Sequence, residues 1–442
     1  MRQGEVSALV HSLTLGVVYV PSCELQAFKE ELRSSANGGE GELKNSLVSQ
    51  GMLVVNDVDD EENFIRLRDQ LRSKMSLEMM YLLVTDGCNL RCTYCFEESP
   101  SVSGSFRAMH MSEEAVVKSL DLFASMTARY GNPQLEKVIH LYGGEPLANR
   151  KAVYRAVSYA NELKARGSLP DSCRLVIVTN GVLLNEEDAQ FFSANAVSVG
   201  LSIDGPAFIT NLYRVPKRSG INVAERITHA FRLLKKHGVG VGLSVTLTPE
   251  AVDHFDEFLA FFTEGEFRAA DGASLNLLHY TPHVKLSDDF YRKAVECQIK
   301  AFQRFREIGF YEDRIIRKVS AFVDQEPMYA DCGVVGRQLV IAPDGRIGVC
   351  QDFVKTRTYF PRSVYDTDHD DLLDVLFENW RNRSPFFMTQ CTDCPALGIC
   401  GGGCPASAEL KTGDKNNIDE RACFHSKRVL EWLVWDAYAA AR

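Results

Sequence analysis

Apolar and polar positions along the chain change their rhythm twice. In the first 75 or so residues they describe a small α+β module. Leu13–Val20 (LTLGVVYV) is dense in β-branched residues and predicts a strand. Ser22 can cap a helix reaching about Ser34, and Ala36–Gly41 (ANGGEG) reads as a loop. Leu43 and Leu47 mark one face of a helix over Glu42–Gln50, with Gly51 as its stop and Met52–Val55 as a short strand beyond. After the acidic run Asp57–Glu62, Phe64, Leu67 and Leu71 recur at helical spacing.

From about Met79 strand and helix alternate. Strand-like runs fall at Met80–Val84, Val138–Leu141, Leu175–Val178, Val197–Ile203, Val239–Leu247 and Ser274–His279. Helical stretches separate them, such as Ser112–Tyr130 and Asn222–His237, the latter with Ile227, Phe231 and Leu234 as its apolar stripe and Gly238 as its stop. Six such units predict an α/β fold with a parallel sheet and outer helices, either doubly wound or an incomplete barrel. Functional groups should then gather at the carboxyl ends of the strands. Past about Val323 the alternation stops, and glycine, proline and cysteine crowd Cys391–Cys404 (CTDCPALGICGGGC). Such a segment has little apolar core of its own, and metal would supply the missing constraint.

Composition narrows the class. The 442 residues allow two or three domains, and 45% apolar with 24% charged residues is ordinary for a globular protein. No apolar run approaches the roughly 20 residues of a membrane helix, and the N-terminus lacks a signal-peptide layout, so a cytoplasmic location without membrane partners is expected. A net charge of −10 argues against nucleic acid as a partner. Of thirteen cysteines, seven lie between Cys332 and Cys423. In a reducing compartment such clustering points to metal rather than disulfides.

The first predicted barrel strand runs into Cys88, Cys92 and Cys95, spaced C-x3-C-x2-C. Three thiolates at this spacing can surround one cubane, whereas a 4Fe–4S cluster normally takes four. No fourth cysteine is near, which leaves one iron open for chemistry. Zinc favours two-residue spacings with a histidine partner, and none of the ten histidines lies inside the motif. With Tyr94 at the aromatic position before Cys95 and Phe96 after it, the motif resembles the signature of the radical S-adenosylmethionine (SAM) superfamily. The resemblance implies that the open iron binds SAM, whose reductive cleavage gives a 5′-deoxyadenosyl radical that abstracts hydrogen from the substrate. It also assigns Gly143-Gly144-Glu145-Pro146 to the SAM ammonium, and Asn180, Ser202 and Arg214 to its ribose and carboxylate. The likeness covers about residues 79–310.

The C-terminal cysteines, C-x12-G-x4-C from Cys332 to Cys350, C-x2-C-x5-C-x3-C from Cys391 to Cys404, then Cys423, look like a SPASM domain. That family pattern implies two auxiliary iron–sulfur clusters. Cys391, Cys394, Cys400 and Cys423 would fill one, while Cys332, Cys350 and Cys404 would hold the other with three thiolates. Its remaining iron is then open or bound by a non-cysteine group, with Cys297 a remote alternative and a substrate thiol one occupant. Cys23, Cys173 and Cys297 are otherwise apolar fillers, unless one donates a hydrogen atom.

The resemblance therefore implies a recognition module over residues 1–76, a partial (β/α)6 TIM-like barrel over 77–320 and an iron–sulfur SPASM domain over 321–442. The N-terminal module loosely resembles the winged-helix unit with which peptide maturases bind a leader by strand addition. The expected function is maturation of a ribosomally synthesised precursor peptide, by thioether or other crosslinks, with ferredoxin or flavodoxin as reductant. An anaerobic sulfatase-maturing enzyme is the first alternative. Those relatives carry Asp directly after the cysteine matching Cys350, where this chain has Gln351 and then Asp352. An iron–sulfur electron-transfer protein is the second, which would need neither an open iron nor the GGEP turn.

Overall fold

The computed structural model describes residues 1–34, 42–53, 57–95, 108–281 and 283–442. Strands β1 (Arg2–Gln3), β2 (Val6–Val10) and β3 (Val17–Pro21) form an antiparallel sheet in that order. The single strand expected over Leu13–Val20 is instead a turn leading into β3. Leu15 takes a φ of 58° there and is 1% exposed, so its apolar side chain serves tertiary packing rather than a strand. The run Val6–Val10 is the partner that sequence reading missed.

Helices α1 (Ser22–Ser34), α2 (Glu42–Ser49) and α3 (Asp57–Ser73) follow. Val20, Leu25, Phe28 and Leu47 close a small core between sheet and helices. The expected strand at Met52–Val55 is not seen at Met52 and Leu53, which lie in a bend; Val54, Val55 and the expected loop over Ala36–Gly41 lie outside the described residues.

The alternating region folds as its periodicity predicts. It runs β4 (Met79–Thr85), α4 (Glu113–Tyr130), β5 (Val138–Gly143), α5 (Arg150–Ala165), β6 (Arg174–Thr179), α6 (Glu186–Ala194), β7 (Val197–Ser202), α7 (Ala207–Tyr213), α8 (Val223–Lys236), β8 (Val241–Leu247), α9 (Pro249–Asp253), α10 (Phe255–Thr263) and β9 (Gly272–Leu277). Strands β4 to β9 are parallel neighbours in chain order, a partial βα barrel with helices outside. Side-chain caps start the helices: the Ser112 hydroxyl accepts from Ala115 N, and the Asn222 amide oxygen accepts from Glu225 N.

After α11 (Phe290–Ile308) and α12 (Asp313–Val323) the chain returns to the sheet. Strand β10 (Gln338–Ile341) pairs parallel with β4, and β11 (Arg346–Gly348) and β12 (Arg362–Ser363) extend it antiparallel to nine strands. Within the segment after residue 320, Leu339, Val340 and Ile341 continue the barrel sheet. Glu78 and Arg337, the residues just before β4 and β10, form an ion pair beside this junction. Short helices α13 (Leu372–Phe377), α14 (Leu397–Cys400) and α15 (Pro405–Thr412) lead to α16 (Glu420–Ala440). Val429, Leu430, Leu433 and Val434 of α16 join Ala8, Leu15 and Val295 in one core, which fastens the N-terminal sheet to the C-terminal helix.

Candidate active site

Strand β4 delivers the chain into the loop that carries Cys88, Cys92 and Cys95. Main-chain bonds pin this loop to the segment after α7: Arg91 N donates to Val215 O, Thr93 N to Tyr213 O and Lys217 N to Asn89 O. All three thiols are half-buried. Burial, together with repulsion from Glu145, Cys92 and Cys95, pushes the Cys88 thiol up to about 12. Three neighbouring thiols that oppose each other's ionisation are suited to a cation that takes them as thiolates. The group fits, and Cys88, Cys92 and Cys95 would hold a 4Fe–4S cluster at the strand end.

The GGEP turn after β5 meets this loop directly. A Cβ on Gly143, whose φ is 137°, would lie 2.0 Å from Thr85 O, and one on Gly144 would lie 2.5 Å from Gly87 O. The glycines were expected to admit a ligand; the close approach seen is to the backbone of the cysteine loop. Glu145 is fully buried, its carboxylate accepting from Thr179 Oγ1 (2.6 Å), Asn180 N (2.8 Å) and Leu147 N (3.1 Å). It ties the turn to the end of β6, and its burial raises its pKa. The Asn180 side chain donates to Asn89 Oδ1 at 2.9 Å and to Cys88 Sγ at 3.7 Å. Asn89 had not been singled out, although it stands inside the motif.

Ser202 ends β7 half-buried, with no protein partner for its hydroxyl among the described residues. Arg214 departs from its expected role. Its Nε and Nη2 both bond the buried Asp204 carboxylate at 2.9 Å, which the Tyr94 hydroxyl and Thr246 N also reach. Two of the three guanidinium nitrogens are thus taken by Asp204, and Tyr94 is locked to the same carboxylate. Phe96 lies outside the described residues.

The C-terminal thiols assemble in two groups. Cys423 is pushed up to about 12 by burial and by Cys400, Cys391 and Cys394; Cys391 rises to about 11 by burial and by Cys400 and Cys394. Cys350 and Cys404 are each raised by burial, by Asp352 and by Cys332. This is the division expected from the sequence. Gly401, Gly402 and Gly403 are all left-handed, with φ of 65°, 79° and 68°. The run turns the chain so sharply that Cys400 serves one group and Cys404 the other. Among the described residues, the only His, Cys, Asp or Glu donors that all lie within 4.8 Å of one another are those of His279, Asp352 and Cys404. The cysteine groups are therefore wider than a single tetrahedral zinc, with metal–sulfur bonds of about 2.3 Å, would draw them. Cys297 is not part of either group; its charged neighbours are Lys300, Glu296, Asp253 and Asp256.

Sequence reading missed the polar frame around Cys404. Asp419, 2% exposed, bonds Arg421 and accepts from Cys404 N. Arg421 donates to Ser407 Oγ, which lies 3.0 Å from His279 Nδ1. Burial and the Arg421 charge pull His279 down to about 3, and burial pushes Asp352 up to about 6 against the pull of Arg421. These residues come from the segment after β9, from α15, from the start of α16 and from the turn after β11, and no sequence spacing joins them.

Comparison with known proteins agrees with this geometry. Residues 82–262 match the radical SAM superfamily. The radical SAM cyclopropyl synthase TigE of Paramaledivibacter caminithermalis is 21% identical over 409 residues, 89% of this chain and 82% of that one. The cysteine-type anaerobic sulfatase-maturating enzyme of Clostridium perfringens is 26% identical over 363 residues, 76% of this chain and 90% of that one. Among solved structures, anSMEcpe with bound AdoMet matches 83% of this chain and 99% of its own with a TM-score of 0.67 at 20% identity. Streptococcus suis SuiB bound to its precursor peptide SuiA matches 95% of this chain and 98% of its own, with a TM-score of 0.57 at 14% identity. No helix among the described residues is long and apolar enough to cross a membrane. With its three-thiol loop on the first barrel strand and the superfamily match over residues 82–262, the chain carries a radical SAM domain and is an enzyme, and SAM and a 4Fe–4S cluster are its cofactors.

Proposed function

We propose that this radical SAM enzyme modifies a ribosomally synthesised peptide, which it first holds by its N-terminal sheet. The observation that carries the reading is the three-stranded module itself, with β3 at its edge. Main-chain bonds from His11 N to Gly16 O and from Ser22 N to Glu5 O fix the pairing phase of β2 and β3. Alternation from these points turns the amides of Val17 and Tyr19 away from β2, free to receive an added strand. The fold likeness to SuiB extends over 95% of this chain, against 83% for anSMEcpe.

When bound, SAM at the first cluster supplies a 5′-deoxyadenosyl radical for hydrogen abstraction. The chain's residues position and shield that chemistry. Asn180 and Asn89 steady the cysteine loop, Glu145 locks the GGEP turn against it, and Ser202 offers its hydroxyl to SAM from the end of β7. Arg214 acts through Asp204 and Tyr94, fixing the loop between Cys92 and Cys95. The segment after α12 holds two auxiliary clusters on Cys391/Cys394/Cys400/Cys423 and Cys332/Cys350/Cys404. The auxiliary clusters would supply an acceptor for electrons released when a thioether or another crosslink forms, and an external ferredoxin or flavodoxin would be the reductant.

The test is anaerobic turnover with a short peptide encoded beside this gene. Formation of 5′-deoxyadenosine together with loss of two hydrogens per modification supports the reading. A peptide that neither binds nor changes mass, with SAM still cleaved, opposes it. The likeness to sulfatase-maturating enzymes favours a second reading, oxidation of a Cys or Ser to formylglycine. Conversion of a sulfatase-derived peptide in the same assay would select it.

A further inference from the structure

We propose that the Asp352 carboxylate is the fourth ligand of the cluster held by Cys332, Cys350 and Cys404, with His279 bonded to its second oxygen. The inference rests on the reading that this trio holds an iron–sulfur cluster. A cubane has four irons and the trio supplies three thiolates. No cysteine is left to complete it. Cys297 sits among Lys300, Glu296, Asp253 and Asp256; Cys173 sits among Lys164, Glu136 and Lys137; and Cys23 is exposed on α1.

Asp352 fills the gap in place and in charge. It follows Cys350 by two residues, inside the 3-10 turn Gln351–Phe353 that Cys350 caps. Its ligand atom lies within 4.8 Å of Cys404 Sγ and of a His279 ring nitrogen. Among the described residues no donor bonds its carboxylate, although it is half-buried and stands beside thiols. An anion in such a place is costly unless a cation meets it.

One arrangement of the protons makes Asp352 rather than His279 the ligand. Arg421 has only donors, so Ser407 Oγ accepts from it, and in this arrangement Ser407 turns its own proton to His279 Nδ1. The imidazole proton then sits on Nε2, where it serves as a donor rather than a lone pair. With His279 turned to the carboxylate, Arg421, Ser407, His279 and Asp352 form one directed chain that ends at the iron, the kind of outer support ligating carboxylates use.

The test uses the full-length chain carrying C88A/C92A/C95A, which removes the SAM-binding cluster and its open iron, reconstituted anaerobically and reduced. The probe is 13C-cyanide, read by electron–nuclear double resonance. The expected result is no 13C coupling with Asp352 in place, clear coupling in D352A and in the isosteric D352N, and its loss again in D352C. Coupling with Asp352 present would show an open iron and overturn the proposal. So would its absence in both D352A and D352N, or its appearance in H279A alone. Iron and sulfide sufficient for only one cluster in this background would instead remove the underlying reading, and the ligand assignment with it.

Discussion

Replacing Arg214 with methionine tests whether the cysteine loop is held from below by a buried ion pair. The side chains of Arg214 and Asp204 are 8% and 0% exposed, and the carboxylate accepts two bonds from the guanidinium, one from Tyr94 and one from Thr246 N. R214M strips two of those four donors and leaves the anion with no countercharge in the same pocket. Breaking one side of such a pair costs about 3–5 kcal/mol. D204N leaves the guanidinium uncompensated and falls in the same range. The double variant R214M/D204N buries neither charge, so about 2–3 kcal/mol should return as coupling between adjacent sites. Pulse proteolysis in urea, with the fraction of intact chain read on gels, reports the population of the opened form. Strictly additive losses, or a single-variant loss under about 1 kcal/mol, would refute the assignment of a structural pair.

Other changes test the remaining parts. In G144A the new methyl would stand 2.5 Å from Gly87 O and 2.6 Å from Gly87 C, so iron at the first cluster and 5′-deoxyadenosine yield should fall together at least tenfold by iron assay and chromatography. V17P removes an outward amide from β3 without touching the β2 ladder, which edge strands tolerate; peptide affinity by fluorescence anisotropy should drop about tenfold while SAM cleavage without peptide is unchanged. His140, stacked on Tyr81 with ring centroids 4.5 Å apart, is pulled by burial from 6.5 to about 4. The unfolded chain takes its proton first, so this residue lowers stability as pH falls below about 6.5, by up to ~3 kcal/mol near pH 4, and H140F should flatten that part of the stability–pH curve.

Much of this was legible in the sequence because its causes are local. Apolar runs such as Val138–Leu141 and the stripe Ile227, Phe231, Leu234 carry their own period, and the six barrel strands emerged where that period predicts. The cysteine spacings likewise carried their grouping. What escaped notice depends on long-range neighbours. Leu15 looked like strand and is a packed turn, because the core it joins is completed by Val295 and Val434, which are distant in sequence from the run that contains it. Asp204 was visible in the Ser-Ile-Asp-Gly string, but nothing there shows that it occupies Arg214. Glu145 looked poised for an amine, while its three donors come from its own turn and the end of β6. Asp352 was weighed only against the position after Cys350; its neighbour His279 comes from the segment after β9, far away in sequence.

The parallel pairing of β10 with β4 governs how the protein can be made. The ion pair at its foot, Glu78 with Arg337, joins residues 259 positions apart. On the ribosome the strand that carries the radical-generating loop must wait for most of the chain before its second flank is covered. Contacts of such long range slow folding, and until then β4 is a bare apolar border able to recruit other nascent chains. A polypeptide ending near residue 320 would therefore be expected to clump rather than yield a trimmed, working barrel, and metal loading belongs after the last helix has left the exit tunnel.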